Sequence, residues 1–312
     1  MKFTDKDCRA FEKLITLTQE STLRAMYDIL SNRYTKVIKT PNYLYAIGNI
    51  PIALVAHLDT VFPQTAHKDL YYDQIKNVMF CPQGAGFDDR AGIMAIIKII
   101  STSELRPHII LLTDEEVGGL GAMEFVKANP KPLKETKYLI ELDRRNSNDS
   151  VFYNCGNILF ENYINSFGFK TASGIYSDIY EIAPAWDIAA VNLSIGYQNE
   201  HTYSEILFVD DFFKTVDKVK KMLAAAADAP SFDFQAKPEP IAYITCTKCH
   251  KPTMSFNSVP VIDKHGITNI VCADCLTNDI GWCACCDLPF EKENPADKIC
   301  FTCKGAIANV LI

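Results

Sequence analysis

Apolar residues recur at helical spacing from Asp5 to about Asn32, at Phe11, Leu14, Ile15, Leu17, Leu23, Met26, Ile29 and Leu30, which predicts one or two amphipathic helices. Tyr34 to Ile50 alternates as a hairpin does, and Ile52 to Ala56 is the short continuous apolar run of a buried strand. Similar runs at Ile109–Leu112, Tyr138–Leu142 and Ala190–Ile195 predict three more buried strands. Between them lie helical patterns: DDRAGIMAIIKII from Asp88, with Ile93, Ala95, Ile96, Ile97 and Ile100 on its packed face, then Leu120 to Ala128, Asn157 to Phe167, and a last one from about Asp210 to Ala227. Ser177 and Asp178 fall in a polar loop, and Gly196 to Glu205 has no clear period. Strands alternating with helices predict an α/β fold, a three-layer sandwich with a mostly parallel central sheet.

The pattern stops at DAPSFDFQAKPEP (228–240), where three prolines and no apolar period read as a linker. The predicted division is therefore 1–229 for the α/β domain, 230–242 for the linker and 243–312 for a second, smaller domain. Cysteine usage changes at the same place. Cys8, Cys81 and Cys155 are scattered and read as small buried apolar residues, whereas nine of the twelve cysteines follow residue 240. Eight of those nine form the pairs Cys246/Cys249, Cys272/Cys275, Cys283/Cys286 and Cys300/Cys303, each with two residues between. Four such pairs supply two tetrahedral four-thiolate zinc sites in a zinc-ribbon-like domain. Cys285 is left over, and His250 and His265 are weaker substitutes. Pairing first with second and third with fourth gives a tandem ribbon; alternating pairing gives a cross-brace, and the spacing serves both.

Composition narrows the class. With 48% hydrophobic and 22% charged residues and no apolar run near the ~18 needed for a bilayer span, the chain is neither disordered nor membrane-inserted. The opening MKFTDKDCRAFEKL carries charges where a signal peptide needs an apolar stretch, so a cytoplasmic protein is expected. The formal net charge of −7 gives no overall drive toward nucleic acid or anionic lipid. The tail (241–312), with six lysines, no arginine and seven acidic residues, is no nucleic-acid arm either; docking a protein partner, self-association or covering the cleft is the expected role.

Candidate chemistry sits at the predicted strand ends: His57 and Asp59 in AHLDTV, Asp88 in GAGFDDRAG, Glu115 and Glu116 in DEEVGGLGA, Asp143 in ELD and His201 in GYQNEHTYSE. So many carboxylates converging on one place would repel one another unless divalent cations neutralised them. Mixed His/Asp/Glu ligation suits zinc, with manganese or cobalt as chemically admissible replacements.

In this order, over roughly residues 1–227, the five motifs resemble the co-catalytic di-zinc peptidase superfamily that includes peptidase T, carboxypeptidase G, aminoacylase and the glutamyl aminopeptidases. The resemblance implies one metal on His57, Asp88 and Asp143 and a second on Asp88, Glu116 and His201, with Asp88 bridging. It implies Asp59 as the carboxylate that orients His57, and Glu115 as general base in the hydrolysis of a peptide or an acylated amino acid. One departure stands out: carboxypeptidase-like relatives insert a domain-sized lid between the third and last ligands, but Asp143 and His201 are only 58 positions apart. That leaves no room for a lid, and the layout is closer to single-domain aminopeptidases. The competing reading is an inactive hydrolase scaffold carrying a zinc-ribbon interaction module. His67 and His108 match no motif and read as surface or structural residues. Ser177, Asp178, Arg90, Arg144 and Arg145 are secondary candidates, the arginines for a substrate carboxylate.

Overall fold

The computed structural model describes residues 2–64, 67–237, 243–254, 258–272, 275–276, 280–284, 289–294 and 296–304. They form two compact units, Met1–Lys237 and Pro238–Ile312.

In chain order the first unit contains α1 (Asp5–Leu14), α2 (Gln19–Ser31), β1 (Val37–Lys39), β2 (Tyr43–Ala46), β3 (Ile50–His57), β4 (Tyr71–Asp73), β5 (Val78–Phe80), α3 (Phe87–Ser101), β6 (Pro107–Leu112), α4 (Leu120–Ala128) and β7 (Tyr138–Arg144). It continues with β8 (Asp149–Val151), α5 (Ile158–Asn165), β9 (Lys170–Thr171), α6 (Ile179–Trp186), β10 (Ala190–Ser194), β11 (Tyr197–Gln198), β12 (Ile206–Phe208) and α7 (Val209–Ala224). Eight strands make the main sheet in the order β1-β2-β6-β3-β7-β10-β8-β9. Its centre is parallel, β3 pairing with both β6 and β7, and β10 with β7. Alternate side chains of β3 enter separate cores: Ile52, Leu54 and Ala56 pack on one face, Ala53 and Val55 on the other. That alternation under a nearly unbroken apolar run is why the sheet is covered on both sides, as a three-layer sandwich requires. A small antiparallel sheet, β11-β12-β5-β4, stands beside it.

Two features depart from the sequence reading. Helix α6 occupies the segment after Ser177, where Pro184 hid a helical turn. The expected linker 230–242 is divided: residues up to 237 belong to the first unit, and 238–242 lie outside the described residues. Phe232 is buried against Tyr138, Phe160 and Tyr163, with ring centroids 5.1–6.0 Å away. Its amide donates to the Lys137 carbonyl at 3.0 Å and its carbonyl accepts from Ala189 at 2.8 Å. Prolines at both ends masked an apolar residue that completes the core.

The second unit contains a two-stranded sheet of β13 (Tyr243–Thr245) and β14 (Pro252–Met254), and a four-stranded sheet of β15 (Ser258–Ile262), β16 (Thr268–Cys272), β17 (Ile280–Trp282) and β18 (Pro289–Glu291) in the order β16-β15-β18-β17. Its apolar core is small: Val261 and Val271 beside one set of cysteines, Ile262 and Phe290 beside another.

Among the described residues, no helix is long and apolar enough to cross a membrane.

Candidate metal centre

His57, Glu115, Glu116 and Asp143 sit at or just past the carboxyl ends of core strands, where a parallel sheet opens its ligand crevice. His57 closes β3, Asp143 is the penultimate residue of β7, and Glu115 and Glu116 follow β6. Asp88 stands where the chain turns into α3, at non-helical backbone angles. The turn needs Gly86, whose φ of +67° is left-handed and whose Cβ would meet Thr60 Oγ1 at 2.4 Å. His201 lies in the loop between β11 and β12.

The Asp88 carboxylate lies between the two imidazoles. Its Oδ1 is 3.0 Å from His57 Nε2 and its Oδ2 is 3.3 Å from His201 Nε2. Asp143 Oδ1 approaches His57 Nε2 at 3.5 Å, and Glu116 Oε2 approaches His201 Nε2 at 3.0 Å. Each imidazole thus has two carboxylate oxygens within 3.5 Å, and Asp88 supplies one oxygen to each. Donor atoms of His57, Asp88 and Glu116, and of His57, Asp89 and Asp143, also lie within 4.8 Å of one another. Of the two adjacent aspartates, Asp89 is already engaged: its oxygens accept from the amides of His57 (3.2 Å) and Gly92 (2.9 Å). Asp88 is the one whose oxygens face the imidazoles.

His57 Nδ1 lies 3.2 Å from Asp59 Oδ1, which fixes the ring with Nε2 turned toward Asp88 and Asp143. Asp59 also accepts from the amides of Glu115 (3.1 Å) and Glu116 (3.0 Å), tying the imidazole and the acidic turn to one group.

Electrostatics point the same way. Burial, reinforced by the Asp88 charge, drives Asp143 well above the usual carboxylate range and Glu116 up to about 7; burial also raises Glu115. Burial alone would lower His57, but the Asp143 charge outweighs it and the imidazole is held well above its ordinary value. The hydrogen bond to Asp88 raises His201 to about 9. Burial opposes ionisation of Asp88, yet hydrogen bonds from His201 and His57 hold it well below the usual range. Glu116 Oε1 is buried with no hydrogen-bond partner. Crowded acids, imidazoles aimed at them and an orphaned carboxylate oxygen fit a site built for divalent cations.

Several contributors escaped the sequence reading. The Glu205 carboxylate accepts from the amides of Gly86 (2.8 Å) and Asp88 (3.0 Å), clamping the turn that carries Asp88. Asn192, in the middle of β10, accepts from the Asp143 amide (3.0 Å) and donates to its carbonyl (2.9 Å). Tyr197 donates to Asp143 Oδ1 at 3.1 Å. Ser177 donates to Glu141 behind Asp143, and Asp178 is fully buried with neither oxygen partnered. Arg90 is no substrate ligand: it is fully buried and donates to the carbonyls of Leu58 (2.7 Å) and Leu17 (2.9 Å). Arg145 pairs with Glu200 at 2.6 Å, and Arg144 donates to the Ser173 carbonyl at 3.0 Å. His67 is exposed beside Asp69, and His108 is buried, taking the Gly48 amide on Nδ1 at 3.0 Å.

In the second unit the thiols of Cys246, Cys249, Cys272 and Cys275 lie within 4.8 Å of one another, as do those of Cys283, Cys300 and Cys303. First therefore pairs with second, and the third pair's Cys283 with the fourth, as in a tandem ribbon. Cys285 and Cys286 lie outside the described residues. The amides of Cys272 and Cys300 each donate at 3.3 Å to the sulfurs of Cys246 and Cys283. Donation from the Cys272 and Cys249 amides lowers Cys246 to about 6, favouring the thiolate that binds metal.

The family model for peptidase family M28 matches residues 42–214, more than half of the chain and every oxygen and nitrogen donor of the cleft. The chain belongs to peptidase family M28. Among solved structures, this M28 chain is similar to the aminopeptidase PepT from Bacillus cereus (14% identity, 72% of this chain and 98% of that one, TM-score 0.55). It is also similar to a tripeptidase from Staphylococcus aureus (14% identity, 73% and 100%, TM-score 0.57). A TET aminopeptidase from a marine sediment archaeon of the Thaumarchaeota shares 11% identity over 70% and 97%, with a TM-score of 0.56. These likenesses establish the shared fold. No curated protein matches the chain in sequence. Family membership makes it a metal-dependent peptidase acting on peptides, and the inactive-scaffold reading is not favoured.

Proposed function

We propose that His57, Asp88 and Asp143 hold one divalent ion and that Asp88, Glu116 and His201 hold a second, zinc in both, with manganese or cobalt as admissible replacements. The observation that carries this reading is the Asp88 carboxylate, one oxygen toward each imidazole, with a further carboxylate beside each. When bound, such a pair of ions polarises the scissile carbonyl and acidifies a water molecule.

Glu115 is the general base in this reading: its carboxylate takes a proton from the attacking water as the new C–O bond forms, and returns it to the amine nitrogen as the C–N bond breaks. Asp59 positions it, because one carboxylate fixes both the His57 ring and the amides of the acidic turn. The substrates are small peptides with a free N-terminus or acylated amino acids, cleaved aminopeptidase-fashion, since the short interval between Asp143 and His201 carries no lid to hold a substrate's far end.

The tail is assigned two structural zinc ions, one on Cys246, Cys249, Cys272 and Cys275, the other on Cys283, Cys286, Cys300 and Cys303, and the role of docking a protein partner or a second copy. The boundary of the peptidase domain is placed after Lys237. We place the enzyme in the cytoplasm because clustered thiols persist in a reducing compartment. Glu115→Gln tests the assignment: turnover on a peptide substrate should fall roughly 10²–10⁴-fold with cleft metal content unchanged. Turnover near that of the parent protein would contradict it.

A further inference from the structure

The end of the sheet opposite the metal centre carries a second pocket, of about 400 Å³, lined by residues of four segments. Arg33 and Lys36 come from the turn after α2, Arg106 from the entry to β6, and Lys134 from the loop before β7. Four cations in one concavity are unusual in a chain of net charge −7. The carboxylate paired with them among the described residues is that of Glu104, fully exposed and 3.5 Å from Arg106 Nη2. It leaves most of the positive charge without an acidic partner, although backbone carbonyls hold the guanidinium groups: Arg106 Nη1 donates to Ser103 (2.8 Å) and Leu105 (2.9 Å), and Arg33 Nη1 to Ile29 (3.1 Å).

The floor is built. Gly48 N–H donates to His108 Nδ1 at 3.0 Å, Lys134 Nζ donates to the Gly48 carbonyl at 2.9 Å, and the amides of Asn49 and Ile50 both donate to the Arg106 carbonyl. Gly48 allows this approach, since a Cβ there would sit 2.0 Å from the Arg106 carbonyl oxygen. Tyr34 lines the pocket, is 7% exposed, and its buried hydroxyl has no hydrogen-bond partner. An unmet buried hydroxyl is costly, and native structures usually supply its partner. The charges of Arg106 and Arg33 act on that hydroxyl, opposing the rise that burial imposes on it.

We infer that this pocket binds a small phosphate-bearing anion, held by Arg33, Lys36, Arg106 and Lys134 and hydrogen-bonded by the Tyr34 hydroxyl. Cationic N–H groups bind phosphate oxygens by charge-assisted hydrogen bonds, and a doubly charged group balances the cations better than a single carboxylate. The volume leaves room beyond the phosphate for an organic body against Tyr34 and Ile47. Strand β3 runs from this pocket to His57, a length of roughly 25 Å at about 3.3 Å per residue, so the site is separate from the metal centre. The inference does not depend on the peptidase assignment.

The test is isothermal titration of the full-length, metal-loaded protein with inorganic phosphate and with pyrophosphate, against potassium chloride at matched ionic strength. One saturable site per chain is expected, absent with chloride. Arg33→Gln/Lys36→Gln, at exposed positions, should weaken it roughly tenfold or more while leaving peptidase turnover unchanged. Tyr34→Phe, which removes only the hydroxyl, should weaken it by about threefold to tenfold. No saturation beyond the chloride response would overturn the inference. So would unchanged binding in the double variant, which would seat the anion elsewhere, on the cleft ions for instance.

Discussion

The two units meet the same problem, gathering metal donors, in opposite ways. In the first, five imidazole and carboxylate donors come from positions 57 to 201 and are brought together by strands whose cores exist without them. In the second, thiols arrive as closely spaced pairs, most of the described ones in turns that follow short strands, and the apolar core is a few residues beside each cluster. The first is a fold that holds donors; the second is donors that hold a fold. Oxygen and nitrogen donors at an open crevice suit an exchangeable reacting centre, while closed thiolate sets suit a structural one.

Exhaustive chelation should therefore separate them most strongly. Structural zinc in small domains contributes about 10–16 kcal/mol of apparent binding free energy, so the tail should unfold when stripped, whereas the first unit keeps its secondary structure and loses only activity. Circular dichroism with limited proteolysis checks this; a protease-resistant stripped tail would break the contrast. Next in size is the junction. Phe232→Ala should cost the first unit about 3–5 kcal/mol, as for other buried phenylalanines, and a chain cut after Lys237 should be markedly more stable than one cut after Ala229. Equal denaturant midpoints for the two truncations would return 230–237 to the role of linker.

The junction also marks where the sequence stopped being readable. The central strands β3, β6 and β7 are largely apolar runs that end in charge, and β10 is apolar apart from Asn192, so their burial and the chemistry at the strand ends were legible together. Phe232 was not, because two phenylalanines in a short stretch between prolines are too few to show a period. Helix α6 was hidden by Pro184, although Pro184 sits in its later turns and the helix caps on left-handed Asp187. Donor residues announced themselves by motif, but Glu205, Asn192 and Asp89 act by accepting from or donating to backbone groups of residues far away in the chain, a relation that spacing does not encode. The tail's pairing was open because the same four pairs serve either connectivity, and only the three-dimensional clusters distinguish them.

A finer test concerns Asp59. Asp59→Asn keeps the shape but loses the charge that fixes the His57 ring, and cleft metal affinity should fall about 10–100-fold while tail metal is unaffected. Competition with a chromogenic chelator measures both; equal weakening of both units would mean the variant acts on global stability. The smallest expected effect concerns pH. His108 takes the Gly48 amide on Nδ1 and donates from Nε2 to the Glu135 carbonyl, and burial lowers its pKa. Its contribution to stability is complete above the ordinary histidine value of 6.5 and declines as the pH falls below it, because the unfolded chain takes up the proton first. Melting temperatures of His108→Gln and the parent protein should converge as the pH drops from 7 to 5. A constant gap would contradict a lowered His108 pKa in the folded protein.

The shared carboxylate is tested most directly by counting zinc in one variant. Full-length protein should hold about four zinc ions per chain, two in the cleft and two in the tail. Asp88→Ala should hold about two, both on thiolates, because one residue serves both cleft ions. A loss of one ion, or of none, would contradict the bridge and with it the two-metal reading of the cleft.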